Sequence, residues 1–175
     1  MKTKEVIVLH YDPNWAIEFE KLSAFLKDAC GDFVLEICHV GSTSVPGLSA
    51  KPILDVDLVI ESLKQFNSIK HKLALVGYRH EGDLGIPGRE AFKYDSTPFM
   101  AHHLYVLTQD APELKRHLAF RDHLRTHPND RDDYGEVKRK AALAHPRDID
   151  AYMEDKNDLI QAIYRKIETD ESSVD

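Results

Sequence analysis

The run Ile53-Leu54-Asp55-Val56-Asp57-Leu58-Val59-Ile60 constrains this chain more than any other segment. Apart from its two aspartates it is wholly apolar and rich in β-branched residues, so it reads as a strand that must be buried. Residues two apart on a strand share a face, so Asp55 and Asp57 project together. Two unpaired carboxylates in such surroundings are costly. A divalent cation is the simplest neutraliser, and hard oxygen ligands suit Mg²⁺, which takes one or two carboxylates together with phosphate oxygens and water. The competing reading is a pair of salt-bridged aspartates at an exposed strand end.

The segment before that strand favours the metal. Residues 33–40 read as another strand, ending in His39-Val40, and Gly41-Ser42-Thr43-Ser44-Val45-Pro46-Gly47 follows as a turn. A Gly-Ser turn exposes backbone N–H groups and a hydroxyl, which suits a phosphate. A phosphate turn beside a metal-binding strand fits phosphoryl or nucleotidyl transfer.

Elsewhere the chain alternates helix and strand signals. A helix opens at Asp12-Pro13, carries Trp15, Phe19, Leu22 and Leu26 at helical spacing, and ends at Gly31. Residues 6–9 read as a strand or extended edge, 62–76 as a helix, 81–89 as a Gly-rich loop and possible lid, and 91–94 and 102–107 as strands. Helices are expected over 112–127, 131–145 and 147–168, followed by a frayed polar tail. The division implied is a core over residues 1–110 and a helical segment over 111–175, packed as one unit.

With 175 residues, 42% hydrophobic and 30% charged, the composition is globular, and the net charge of −7 is spread over both parts. No part is basic enough to grip a nucleic-acid backbone, so nucleic acid is an unfavoured partner. No apolar run approaches a membrane span, and the apolar stretch Val6-Ile7-Val8-Leu9 is too short for a leader. Cys30 and Cys38 have neither disulfide-framework nor zinc-ribbon spacing. A cytoplasmic, reduced location is the expectation; the oligomeric state is not encoded in any of these signals.

Gly41-Ser42 followed by Asp55-x-Asp57 resembles the core pattern of the nucleotidyltransferase superfamily, the polymerase-β-like fold. Within it, the runs from His39 to Leu48 and from Lys51 to Asp55 resemble the GrpB (UPF0157) family. Asp12-Pro13-x-Trp15, Gly88-Arg89 with Phe92-Lys93, and Phe120-Arg121-Asp122-x-Leu124-Arg125 add to the likeness, which spans about Val8 to Ile167. It implies an α+β fold, a mixed sheet with flanking helices and a C-terminal helical segment. It also implies that Gly41 and Ser42 hold a triphosphate and that Asp55 and Asp57 hold one or two metals. Superfamily enzymes usually add a third carboxylate on a later strand. Here that strand is His102-His103-Leu104-Tyr105-Val106-Leu107, which contains no acid. Alternation puts His103 on one face with Tyr105, and His102 on the other. A histidine in the ligand set would favour Mn²⁺ or Zn²⁺ over Mg²⁺.

The C-terminal helices carry cations on apolar stripes. Lys156 interrupts Ile149, Met153, Ile160, Ile163 and Ile167. Arg121 and Arg125 follow Leu114 and Leu118, and Lys138 lies between Tyr134 and Ala141. Each is ordinarily a snorkelling side chain; together they make a cationic wall facing the acidic strand. His117, His123 and His127 read as solvated. The expected function is metal-dependent transfer of a nucleoside monophosphate from a nucleoside triphosphate to a small acceptor. Asp55 and Asp57 are the catalytic pair, with Gly41, Ser42, Ser44, Lys51, Arg89, Lys93, Arg121, Lys138 and Lys156 on the phosphates, and His103 a further metal ligand. The alternative is a non-catalytic nucleotide- or phosphometabolite-binding protein. Glu36, Asp83 and Glu90 are the candidates for the missing acid.

Overall fold

A computed structural model describes residues 5–174; residues 1–4, which precede the apolar stretch Val6–Leu9, and residue 175 of the polar tail lie outside it. Five strands form one mixed sheet in the order β1-β2-β5-β4-β3: β1 (Val34–Val40), β2 (Leu54–Ile60), β3 (Arg79–Gly82), β4 (Glu90–Lys93) and β5 (His102–Thr108). The central pair β2–β5 is parallel and the other pairs are antiparallel. A parallel pair needs a long crossover. Here the crossover contains α2 (Phe66–Leu75) and the β3–β4 hairpin.

The period of two along β2 decides what each sheet face meets. Leu54, Val56, Leu58 and Ile60 point to one side with Leu104 and Val106 of β5. They pack under α1 (Asn14–Cys30) and α2 with Trp15, Phe19, Leu22, Leu26, Ile69 and Leu73, all buried. This is the larger core. The other side carries Asp55, Asp57 and Val59 beside Cys38 and Val40 of β1 and His103, Tyr105 and Leu107 of β5. A smaller apolar cluster forms on this face from Cys38, Val40, Val59 and Leu107 with Ala111 and Leu114 at the start of α3 (Pro112–Thr126), and it borders both aspartates.

Helices α3, α4 (Pro128–Ala144) and α5 (Ile149–Ser172) pack around the segment after β1: Val45 and Leu48, both fully buried, sit among Leu124, Tyr134 and Ile163. No helix among the described residues is long and apolar enough to cross a membrane.

Local signals place most elements. Asp12 Oδ1 accepts Asn14 N at 2.9 Å just ahead of α1, where Pro13 is the capping residue, and Gly31, at φ +65°, ends that helix. Five expectations are corrected. Residues 6–9 form no strand; Leu9 makes one isolated bridge to Ala50. Strand β3, Arg-His-Glu-Gly, carries no apolar residue and was readable only through its partner β4. Helix α4 begins at Pro128, where the missing N–H costs nothing at a helix start, and α5 runs on to Ser172. On α5, Tyr152 and not Met153 joins the buried stripe: Tyr152 is fully buried and Met153 is 47% exposed. At about 100° per residue, Tyr152 lies about 40° from Lys156 and Met153 about 60°.

Leu58, fully buried at the middle of β2, tests the main core. Leu58→Ala is expected to lower stability by about 2–5 kcal/mol, read as a lower urea midpoint with an unchanged denaturant slope.

Candidate functional site

Asp55 and Asp57 project from β2 onto the sheet face that carries the smaller apolar cluster, beside its members Val40 and Cys38. Asp57 is fully buried; its Oδ2 accepts a hydrogen bond from His117 Nδ1 at 2.6 Å, and its Oδ1 has no hydrogen-bond partner among the described residues. Burial pushes the Asp57 carboxyl above the usual carboxylate range, opposed by the bond from His117. Asp55 is half-buried and meets His103 Nδ1 at 3.1 Å. A buried carboxylate oxygen without a donor is a vacant place for a cation, and two hard oxygen donors on one face fit Mg²⁺.

The turn after β1 reaches this pair through Gly41, which sits at φ +71°. A Cβ there would collide with Asp55 Oδ2 and lie 2.9 Å from Asp55 Cβ and Cγ. Only glycine lets the turn backbone come so close to the carboxylate. Ser44 Oγ donates to Gly41 O at 2.5 Å, and Thr43 pairs with His39 Nε2 at 2.9 Å. Their hydroxyls brace the turn; Ser42 remains half-buried at its mouth. His39, stacked on Phe19, is kept neutral by burial, its pKa pushed down to about 4.

Arginines of α3 and α4 clasp the same segment. Arg121 donates to His39 O, Arg125 to Ser44 O through Nε and Nη2, Arg131 to Pro46 O, and Arg139 to Ser49 Oγ. Arg121 therefore borders the turn while holding a carbonyl. The lysines behave differently. Lys138 is buried, with Nζ 4.5 Å from the Tyr134 ring centre and no hydrogen-bond partner among the described residues. Lys156 and Lys51 lie 4.6 and 5.4 Å from the Tyr152 ring centre. Desolvation lowers the pKa of all three, Lys138 furthest and Lys156 to about 8, while the Asp55 carboxylate pulls each back up. Three basic side chains that all feel the charge of one carboxylate and have no salt-bridge partner among the described residues give this side of the site a basic character.

The remaining predicted residues sit further out. Arg89, at the end of the Gly-rich loop, lies 4.3 Å from the Tyr105 ring centre; its Nε is buried without a partner among the described residues, and its charge acts on Asp57. Lys93 continues the alternation that sets Ala91 beside Tyr105, so it shares the sheet face, but it is exposed and paired with Glu81 at 3.2 Å. His102 is buried on the opposite face, donating to Met100 O and bonded to the Tyr78 hydroxyl. His103 meets Asp55 alone; the two aspartates and His103 do not close on a common point.

No candidate third acid reaches the pair. Glu90 faces the other way and bonds His80, and Asp83 Oδ1 accepts Gly85 N. Glu36 pairs with the Cys38 thiol and helps raise its pKa. The acid joined to the site is Glu113 of α3, whose Oε1 lies 3.2 Å from His117 Nε2. Burial favours neutral His117, yet its bonds to Asp57 and Glu113 hold its pKa above the ordinary value. With both ring nitrogens facing carboxylates, the imidazolium satisfies both. The solvated reading of His117 is thereby corrected. Its spacing of three from Leu114 and four from Arg121 on the packed stripe was the signal available.

Comparison with known proteins agrees with this architecture. The sequence profile described as "GrpB protein" matches residues 5–166. The chain belongs to the GrpB family. A solved GrpB protein from Enterococcus faecalis is 35% identical, with a TM-score of 0.82 over 92% of this chain and 96% of that one. The UPF0157 protein YqkA of Bacillus subtilis is 34% identical over 90% of this chain, which spans 46% of that relative's length. The Cid1 poly(U) polymerase, solved with MgGTP bound, is 13% identical, with a TM-score of 0.50 over 74% of this chain and 42% of that one. At that identity the likeness is one of fold, and this chain has a nucleotidyltransferase-like fold.

Gly41→Ala in this GrpB protein meets both a positive φ and the Asp55 carboxylate. It is expected to cost about 1–3 kcal/mol in thermal unfolding and to move the turn away from Asp55 in a crystal structure of the variant.

Proposed function

We propose that this protein transfers a nucleoside monophosphate from a nucleoside triphosphate to a small hydroxyl-bearing acceptor, with Mg²⁺ held by Asp55 and Asp57. The observation that carries the reading is a carboxylate pair with an unpartnered buried oxygen, and three basic side chains, Lys51, Lys138 and Lys156, that feel the charge of Asp55 and have no salt-bridge partner among the described residues. A triphosphate is anionic enough to satisfy the lysines and supplies oxygens for a metal on the aspartates. Bound Mg²⁺ would neutralise phosphate charge and polarise the reacting phosphoryl group. The Gly41-Ser42 backbone and hydroxyl hold phosphate oxygens, and Arg89 and Arg121 add positive charge at the rim. The acceptor oxygen forms the new bond to the α-phosphorus, the bond to the β-phosphate breaks, and pyrophosphate and a proton leave.

A second reading, nucleotide binding without turnover, is favoured by one feature: β5 presents His103 and Tyr105 where the fold usually carries an acid, so no third carboxylate touches the reacting region. Incubation with labelled triphosphates and Mg²⁺ separates the two, since only the first releases pyrophosphate.

Both readings require the acid pair. Asp55→Asn and Asp57→Asn are each expected to abolish the Mg²⁺-dependent part of nucleotide-induced thermal stabilisation; a full shift retained in both variants sinks the site. Lys138→Met removes a buried, unpaired ammonium. Its stability in urea is expected to match or exceed the parent's, while triphosphate affinity falls at least about tenfold by calorimetry.

Lys156, with its pKa near 8, is charged at pH 7 and largely neutral at pH 9. Phosphate favours the charged form, so binding near pH 8 draws a proton onto the protein. Affinity is expected to fall as pH rises from 7 to 9, by up to about tenfold per unit. In Lys156→Met that slope flattens.

A further inference from the structure

Away from the proposed nucleotide site, three metal-ligating side chains meet where the corner between α3 and α4 faces the last turns of α5. His123, His127 and Asp170 each offer a ligand atom, and these atoms lie within 4.8 Å of one another; no other three such residues converge so closely among the described residues. They line an open cleft of about 890 Å³, whose charged walls are Asp130 and Asp133 against Arg165 and Lys166.

The hydrogen bonds around the two imidazoles assign their tautomers. His123, buried to 7% exposure, uses Nε2 to reach Asp130 Oδ2 at 2.7 Å, and Asp130 Oδ1 accepts Lys166 Nζ at 2.6 Å. His127 uses Nδ1 to donate to His123 O at 2.8 Å, with Thr126 Oγ1 at 3.0 Å. In each ring one nitrogen is tied to a carboxylate or backbone carbonyl and the other keeps its lone pair. Metal-bound histidines are ordinarily held in this way, the outer partner fixing the tautomer and raising ligand basicity. The rings are four residues apart in sequence and stacked, their centres 3.8 Å apart and planes 10° from parallel. Asp170, on a separate helix, supplies the anion that two neutral imidazoles lack.

We propose that His123 Nδ1, His127 Nε2 and one Asp170 carboxylate oxygen bind a single Zn²⁺, with water in the fourth position. Two imidazoles and a carboxylate suit a borderline cation, and tetrahedral coordination leaves the open cleft side to solvent. In a closed site the donor atoms stand about 3.3 Å apart. The two rings lie parallel, so their lone pairs do not yet meet; a turn of His127 that gives up its bond to His123 O, together with movement of Asp170, both exposed, closes the present spacing. The ion would fasten the end of α5 to the α3–α4 corner. This site is independent of the nucleotide reading.

The test is zinc titration of untagged, chelator-stripped full-length protein carrying Asp55→Asn and Asp57→Asn, which removes the other carboxylate pair. One equivalent of Zn²⁺ is expected to bind and raise the Tm by about 3 °C or more. Adding His127→Ala or Asp170→Asn, each at an exposed position, should weaken binding at least tenfold and abolish the rise, with the zinc-free Tm unchanged in Asp170→Asn. Cobalt in place of zinc should give a visible ligand-field band that both changes remove. No zinc binding by the double variant, or unchanged zinc affinity after either added substitution, overturns the proposal.

Discussion

Two carboxylates on one buried strand set the terms for everything around them. Asp57 is enclosed completely, and an enclosed carboxylate must find a donor, a proton or a cation. The chain supplies part of the answer, through His117 to one oxygen, and leaves the other unpartnered. Asp55, at the rim, excludes any side chain at Gly41 and thereby draws the turn backbone into contact with the acid pair. The apolar cluster under α3 reaches the strand neighbours of both aspartates, Cys38 and Val40, so Asp57 is enclosed while Asp55 stays at the rim.

The lysines have the same character with the sign reversed. Aromatic rings under Lys51, Lys138 and Lys156 give partial compensation through their π faces, but no anion meets the Lys138 ammonium. A protein shaped by stability alone would place Met or Leu there. Such groups are retained where a ligand completes them, and the arginines show the contrast. Arg121, Arg125, Arg131 and Arg139 are tied to carbonyls and a hydroxyl of the turn segment, so their work is to hold backbone in place.

The chain shares its fold with the Cid1 poly(U) polymerase, and its own acids are arranged around β2. On β5, His103 and Tyr105 occupy the positions opposite Asp55 and Asp57. The additional carboxylate, Glu113, comes from α3 and reaches Asp57 only through an imidazole. A fold carries many chemistries, so the likeness bears on architecture and the residues bear on function.

Much of this was legible locally. The shared face of Asp55 and Asp57, the turn at Gly41, the Trp15-to-Leu26 stripe and the starts of α3 and α5 follow from periods of 2.0 and 3.6 and from capping chemistry, which involve only near neighbours. Strand β3 was not legible, because its four residues have no apolar pattern and exist as a strand only through pairing with β4. Periodicity also misjudged Met153 against Tyr152, two side chains at similar angles to the same stripe. By itself, the sequence determined which way each side chain leaves its own element. Only the tertiary structure decided what it meets there: His117 on Asp57, Lys138 against the Tyr134 ring, and Asp170 beside His123 and His127. The reason is that direction is a property of local backbone geometry, whereas a partner is set by how elements far apart in the chain pack together.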